Sequence, residues 1–493
     1  MSSSILLIGI DVGSSGVRVE VYSPDGLLIA VGREPIGKQN TDEWLRAIDA
    51  AIPSIVRECK DCEKYVSVDS TSGTYIPTDI HGDPLTNPVM YYEKQPDTYN
   101  RIKLLSSIDA LAKKGVTVDA ASPIVKLYHM KLYNPGLYNS TRWIVPAATW
   151  ILYRLCIREG EVWSNIETDY TNALKFGLDI SSDTPKWFTE VFQELGLDVD
   201  KMPRPTPCGR YICEAASRYA ERMGLLKAKV FHGMTDGNAS ALAGGALKVG
   251  DINIYSGTTT VPKIVTDKFI VHQAIYYHIH PIKGYLAGAA TGFTGAFLTW
   301  FAEKIFGISI DEAFRYMENV VPGTEFLFLP PGDRSPFYNP LMNAALLDLK
   351  IVDEPRVTLI GRFLRSVVLG ITLMENSYIE LFKDLFGVEA NRIRVTGGGT
   401  RARLWNLMRA SIYGKRVEVY GDLVALGTLI PVMIESKLYP NIERIEERFL
   451  KPIDVIEPDD HLVNTYKNLR NIFTDVWRDL QKLYQYLSVK TPM

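Results

Sequence analysis

The chain opens on a tight alternation of apolar runs and small polar punctuation. Ile5 to Ile10 is an apolar run closed by Asp11, Gly13-Ser14-Ser15-Gly16 follows at once, and Val17 to Tyr22 alternates again. That pattern predicts a β-hairpin. A third strand is expected near Leu27 to Gly32, then a helix from about Thr41 to Arg57 capped by Thr41 or Asp42, then a buried strand over Tyr65 to Val68. The switch of period from 2 to 3.6 and back marks an α/β fold.

A helical stretch follows, with helices expected over Arg101 to Lys114, Ile124 to Leu132, Pro146 to Ile157 and Glu190 to Leu195. Loop punctuation falls at Asn134-Pro135-Gly136 and from Pro203 to Pro207. From Val230 the pattern returns to strand, turn and helix. The second half then repeats the logic of the first: strand Ile252 to Tyr255, turn Ser256-Gly257-Thr258-Thr259-Thr260, strand Val261 to Val265, and further strand material at Ala274 to Ile279 and Tyr285 to Ala289. A duplicated α/β domain is the economical reading. A third turn, Gly397-Gly398-Gly399, follows a strand over Arg392 to Thr396 and precedes a helix at about Ala402 to Tyr413, and the tail from Asp459 to Leu487 reads as an amphipathic packing helix. At 493 residues the chain exceeds one core. Two domains are expected, 1–246 with a helical insert at about 96–223, and 247–493.

Composition narrows the setting. The chain is 46% apolar and 23% charged, with 54 basic against 57 acidic residues and a formal charge of −3. No run of basic residues points to nucleic acid or an anionic membrane as partner. The start, MSSSILLIGID, lacks a basic leader region, and no apolar run reaches the ~18 residues of a membrane span, so neither a signal peptide nor an anchor is expected. The five cysteines, Cys59, Cys62, Cys156, Cys208 and Cys213, are odd in number and sparse, which argues against a disulfide framework and for a reducing cytoplasm. Cys59-x-x-Cys62 has no histidine at zinc-finger spacing.

Chemistry concentrates in the turns. An acid at the lip of a strand, Asp11, can hold a divalent cation through water, while Gly13, Ser14 and Ser15 leave backbone N–H groups open to an anion. Ser256, Gly257, Thr258 and Thr259 offer hydroxyls and N–H groups to phosphate from a second side. Gly397, Gly398 and Gly399 leave backbone bare for a flat adenine or a ribose. Asp236, within Gly233-Met234-Thr235-Asp236-Gly237-Asn238, stands before a small-residue helix, Ala239 to Gly245. Asp is a common N-cap, yet in phosphoryl transfer a carboxylate there also orients an acceptor hydroxyl and takes its proton late.

Taken in order, GIDVGSSGVRVEVYSPDG, HGMTDGNASALAGGAL, NIYSGTTTV, FLFLPPGDRSPFYNP and VTGGGTRARLWNLMRASIYGKRVEV resemble the FGGY carbohydrate kinases over about Ile5 to Leu438. The resemblance implies two ribonuclease H-like domains of the actin and hexokinase-like ATPase kind, with ATP and Mg²⁺ in an interdomain cleft and sugar mainly on the first domain. It makes Asp11 the Mg²⁺-linked acid and Asp236 the general base. It puts Gly13, Ser14, Ser15 and Arg18, Ser256 to Thr259, the Gly397 to Gly399 turn, Arg401 and Asn406 on the nucleotide. Ala425-Leu426-Gly427 is a further small-residue nucleotide contact or, equally, a helix packing face.

The departures concern the sugar. The Met-His pair of xylulokinases is absent, and Asp69-Ser70-Thr71-Ser72-Gly73-Thr74 together with Asp169-Tyr170-Thr171-Asn172 resembles the D-ribulose kinase branch. Ser70, Thr71, Ser72, Gly73, Asp169, Asp236, Gly237 and Asn238 are the expected sugar contacts, with loop capping the competing role for the hydroxyl and amide residues. Tyr92-Glu93-Lys94 stands where the family carries Trp or Tyr, Asn, Asp, so either Glu93 substitutes from one position away for a sugar-contacting carboxylate or the substrate differs. His129, where the family carries Trp, and the pair His278-x-His280 are expected to be packing residues. The expected activity is transfer of the γ-phosphoryl group of ATP to a pentulose, D-ribulose first, in the cytoplasm; a homodimer is left open. Xylulokinase or another polyol kinase is the near alternative. A non-catalytic sugar and ATP sensor, or a chaperone-type ATPase, would belong to another class.

Overall fold

The computed structural model describes residues 5–292, 294–351, 353–421 and 423–487. They form two compact units, one within residues 5–243, 277–285 and 423–451, the other within residues 244–276, 286–421 and 452–487. The chain therefore leaves the second unit at residue 423 and completes the first before returning, whereas sequence periodicity marks a single passage at about 246.

In the first unit β1 (Ile5–Val12) and β2 (Gly16–Tyr22) form the expected hairpin, and β3 (Leu28–Pro35) extends it antiparallel. The helix α1 (Thr41–Ala51) is capped by Asn40, whose side chain accepts the Glu43 N–H at 2.8 Å. It stops short because Pro53 lacks an N–H and forces Ile52 into extended backbone, and a separate turn of helix, Ser54–Glu58, follows. β4 (Glu63–Ser70) pairs parallel with β1. The expected helix over Arg101 to Lys114 is two, Pro96–Ile102 and Ser106–Lys113. Beyond them come α2 (Ala147–Cys156), the short α3 (Tyr170–Ala173), and strands β5 (Tyr211–Glu214), β6 (Lys229–Phe231) and β7 (Met234–Thr235). The sheet order is β5-β6-β4-β1-β2-β3, with β7 parallel to the end of β4. β1 is central, which is why it reads as a continuous apolar run and not as an alternation. Leu7, Ile8 and Ile10 are all fully buried, each worth about 1.5–3 kcal/mol of transfer free energy.

The helix α4 (Asp236–Ala243) follows β7 directly. In the second unit β8 (Asp251–Ser256) and β9 (Thr260–Thr266) form the second hairpin. The short helix α5 (Gly295–Trp300) comes next, and then the 31-residue α6 (Arg356–Phe386), over which the sequence reading places no element. By composition and length α6 would cross a membrane, but 72% of its apolar window is buried inside the protein and it carries Arg365, Glu375 and Asn376 inward, so it is a core helix. β10 (Arg392–Thr396), α7 (Arg403–Tyr413), β11 (Val417–Val419), β12 (Asp454–Ile456) and α9 (Asp460–Leu487) complete the unit, while α8 (Val424–Glu435) packs in the first. Along the sheet the order runs from the strands Tyr276–Ile279 and Tyr285–Gly288 through β9-β8-β10-β11-β12. Both sheets thus contain one arrangement, a hairpin whose first strand is flanked by a parallel strand: β4 beside β1, β10 beside β8.

Four of the five cysteines are paired, Cys59 with Cys62 and Cys156 with Cys213, at Cα separations of 5.4 and 5.9 Å; Cys208 is free and buried. The odd number and sparsity of the cysteines, which argued against a disulfide framework, do not prevent these two pairs. The second bridge joins the end of α2 to β5, a proximity made by packing and not by spacing in the chain. With it the argument from cysteine usage to a reducing compartment falls.

Candidate active site

Three carboxylates meet at one edge of the first sheet. Asp11 on β1 lies opposite Asp69 on β4 in parallel register, and Asp69 lies opposite Met234 on β7, two residues before Asp236. Asp11 and Asp69 therefore share one face of the sheet, and Asp236, the first residue of α4 directly after β7, is close enough for its charge to act on Asp69. Asp69 is fully buried, neither of its oxygens has a hydrogen-bond donor, and the group nearest to sharing a proton with it is the Asp11 carboxyl. Burial, and then the charges of Asp11 and Asp236, hold the Asp69 carboxyl well above its ordinary range.

Asp236 opens α4 half-buried, accepting the N–H of the exposed Gly237 at 2.6 Å. Its backbone is fixed from below. Asp169 caps α3, accepting the N–H groups of Thr171 and Asn172 at 3.0 Å each, the Thr171 hydroxyl at 2.6 Å and the Asn172 amide at 2.6 Å. The Thr171 hydroxyl in turn accepts the Thr235 N–H at 2.9 Å. Asp169, expected as a sugar contact, caps α3 and acts on Asp236 through a chain of hydrogen bonds. Ser70 is likewise engaged, accepting the Ala148 N–H at 2.9 Å, and the Thr71 and Thr74 hydroxyls pair with each other at 2.8 Å. Ser72 and Gly73 turn the chain beside Lys175, whose ammonium reaches the Ser72 carbonyl at 3.5 Å and lies within the field of Asp236. Glu93 is exposed and accepts the Met90 N–H at 2.7 Å; the buried Lys126 donates to the Met90 carbonyl at 2.6 Å. Desolvation pulls Lys126 down to about 8 against the opposing field of Glu93.

Asn238 is buried and donates to the Thr235 hydroxyl at 2.7 Å, leaving its own Oδ1 without a partner. His278, expected to pack, stands 3.3 Å from the Asn238 amide. His280 does pack, its Nδ1 accepting the N–H groups of Ile282 and Lys283. His129 is held by the Thr98 hydroxyl at 2.8 Å. No signal in the pattern separates His278 from His280; only their observed partners do, the Asn238 amide for one and the turn at Ile282 and Lys283 for the other.

The Gly13-Ser14-Ser15 turn is closed by the Gly13 N–H on the Gly16 carbonyl at 3.0 Å, with both serines exposed. Arg18, opposite Asp11 across the hairpin, puts its guanidinium 3.9 Å from Glu20. Glu20 is buried and accepts the Leu426 N–H and the Tyr22 hydroxyl, both at 3.0 Å; desolvation pushes its carboxyl up to about 7. Ala425, Leu426 and Gly427 are buried: a Cβ on Gly427 would lie 1.9 Å from the Ala239 carbonyl, and one on Gly9 2.2 Å from that of Ala425. Of the two roles open for this segment, the structure shows helix packing.

In the second unit Ser256 is buried, Thr258 is exposed, and the Thr258 carbonyl accepts the N–H groups of Thr294 and Ala296 at the start of α5. The Gly397 turn lies directly against this hairpin. Gly397 has φ of +89°, and a Cβ there would sit 2.6 Å from the Ser256 carbonyl; one on Gly399 would sit 2.5 Å from Ser256 Oγ. Gly398 and Arg401 are exposed, whereas Asn406 is buried and spends its amide on the Thr400 carbonyl at 2.7 Å. Asn406 therefore shapes the turn.

Family models add the deciding observation: the N-terminal domain of the FGGY family of carbohydrate kinases matches residues 6–243, and its C-terminal domain matches residues 252–434. The chain belongs to the FGGY family of carbohydrate kinases. It is 22% identical to the gluconokinase of Bacillus licheniformis, with 98% of this chain and 97% of that one aligned, and 22% identical to the xylulose kinase of Bacillus subtilis, with 97% of each aligned. Its fold is that of the xylulose kinase of Rhodospirillum rubrum, TM-score 0.84 at 17% identity over 97% of this chain and 100% of that one. It also matches the Plasmodium falciparum glycerol kinase solved with ADP, TM-score 0.83 at 16% identity over 97% and 98%. As an ATP-dependent sugar kinase of this family, the protein carries FGGY domains across nearly its whole described length.

Proposed function

We propose that this kinase transfers the γ-phosphoryl group of ATP to a hydroxyl of a pentulose, D-ribulose first among them, with Asp236 orienting the acceptor hydroxyl and taking its proton. The observation that carries the reading is Asp236 itself, a half-buried carboxylate beside an exposed glycine, on backbone held by the chain from Asp169 through Thr171 to Thr235. A loose transition state asks little more of a base than this positioning. Ser70, Thr71 and Asp169 serve the scaffold, so the sugar contacts narrow to Ser72, Gly73, Glu93, Gly237 and Asn238, with His278 added. The unpartnered Asn238 Oδ1 is an acceptor for a sugar hydroxyl, and a buried acceptor of that kind discriminates against epimers that leave it empty. The absent Met-His pair favours D-ribulose over xylulose.

The residues fit Mg²⁺ at Asp11. Asp69 beside it is buried with neither oxygen partnered, and the repulsion from Asp11 and Asp236 that raises its carboxyl is what a cation at Asp11 would relieve. Mg²⁺ keeps most of its waters and takes one or two carboxylates plus phosphate, a demand that Asp11 and a bound polyphosphate would meet. When bound, Mg²⁺ supplies charge neutralisation at the phosphoryl oxygens. The Gly13 to Ser15, Ser256 to Thr259 and Gly397 to Gly399 turns are the proposed nucleotide contacts. A coupled ADP-release assay across D-ribulose, D- and L-xylulose, L-ribulose, ribitol, glycerol and gluconate tests the substrate. The highest kcat/KM is expected for D-ribulose; a higher value for xylulose or gluconate replaces it, and no sugar above the blank rate favours the sensor.

A further inference from the structure

A heavily bonded side chain of the second unit lies beside the glycine-rich turns, within the block that carries Gly397 to Gly399 but outside the residues expected to touch nucleotide. Arg409 on α7 is fully buried. Its Nε and Nη2 donate to the two carboxylate oxygens of Glu375 on α6, each at 3.0 Å. Nη2 also donates to Ser256 Oγ at 2.7 Å, and Nη1 to Asn406 Oδ1 at 3.1 Å and the Gly399 carbonyl at 3.4 Å. The Tyr413 hydroxyl completes Glu375 at 2.6 Å, and the Trp405 ring lies 4.4 Å from the guanidinium carbon.

We propose that Arg409 is a positioning residue for nucleotide, locking the end of β8 at Ser256 and the Gly397–Gly399 turn into one surface. The inference rests on the assignment of those turns to nucleotide. A buried ion pair is poor value as a source of stability alone, since apolar residues of equal volume do as well. What this one supplies is direction: a planar fork of donors fixes Ser256, Asn406 and Gly399 relative to a single carboxylate, and lysine, with one tetrahedral head, cannot repeat it. The glycines make the lock effective, because with no Cβ on Gly399 the turn closes onto Ser256 Oγ itself. Ser256, buried and spent on Arg409, then serves nucleotide through its backbone.

The test is ADP binding by calorimetry on the full chain, with thermal melting alongside, for Arg409→Lys, Ser256→Ala and the double variant. Arg409→Lys is expected to weaken ADP binding on the order of tenfold, the scale of a lost charge-assisted hydrogen bond. Ser256→Ala leaves the pair with Glu375 intact, so it is expected to weaken ADP binding with little change in melting temperature. The double variant is expected to bind no more weakly than Arg409→Lys alone, because the two side chains act through one hydrogen bond. Unchanged ADP affinity in Ser256→Ala, or additive losses in the double variant, overturns the inference; should Arg409→Lys fail to fold, Ser256→Ala still decides it. Failure of the wild-type chain to bind ADP at all overturns the nucleotide assignment itself.

Discussion

The two sheets share a hairpin flanked by a parallel strand, yet the edges they present are electrostatic opposites. At the first, Asp11, Asp69 and Asp236 converge and Asp69 has no hydrogen-bond donor; at the second, Arg409 and Glu375 neutralise one another beneath two glycine-rich turns. One edge is left with charge to be met from outside. The other has spent its charge on holding backbone still. A phosphoryl-transfer enzyme needs both, a place where proton and cation chemistry is driven and a neutral frame of N–H groups for polyphosphate.

The comparison breaks first at Asp236. Asp236→Ala is expected to lower kcat for any accepted sugar by roughly 10²–10⁴-fold, the usual worth of a positioned base, while ADP binding to the glycine-turn edge is unchanged. Turnover within a few-fold of wild type would remove Asp236 from the chemistry and leave the acidic edge without its assigned role.

On the other edge the large effect is on folding. Glu375→Gln leaves Arg409 fully buried without its counter-charge, and is expected to cost about 3–5 kcal/mol in urea unfolding. A loss under about 1 kcal/mol would mean that the interior already compensates Arg409, and the contrast between a charged and a neutralised edge would fade.

How much of this is legible from residues alone divides along the same line. The hairpins, the Gly397 turn and Asp236 are local in sequence, and the pattern of apolar runs and small residues places them. Asp69 belongs to the acidic edge only through parallel register with β1, so in the sequence it reads as the start of a hydroxyl-rich loop. Arg409 and Glu375 lie 34 residues apart on two helices, and the one bearing Glu375 has too uniform an apolar character to announce itself as amphipathic. Ser70 and Asp169 have the right chemistry for a sugar, but caps and ligands draw on the same side chains, and only the observed donors tell them apart. The disulfide between Cys156 and Cys213, and the return of α8 to the first unit, are likewise products of packing.

Glu20 tests how far the acidic character extends below the edge. Its folded-state value of about 7 lies above its ordinary 4.5, so the folded chain binds this proton more tightly than the unfolded chain does. The stabilisation is therefore complete below pH 4.5 and is lost as pH rises through 7. Between pH 5 and pH 8 the wild type is expected to lose about 2–3 kcal/mol more than Glu20→Gln, whose amide oxygen still accepts from the Leu426 N–H. Parallel pH dependence in the two proteins would show that Glu20 is already charged when folded.

Asp69 gives the smallest effect and the sharpest sign. A buried carboxylate beside two others is a net cost to the folded chain unless a proton or a cation meets it. Asp69→Asn is therefore expected to stabilise the chain by about 1–3 kcal/mol in EDTA, the scale of an unsatisfied buried polar group. With Mg²⁺ and ADP the gain is expected to shrink, because the wild type then recovers through the ion what the variant has by neutrality. The same urea titration that shows a loss for Glu375→Gln would show a gain here. A loss in both, with no response to Mg²⁺, would make Asp69 an ordinary core residue and the acidic edge a pair.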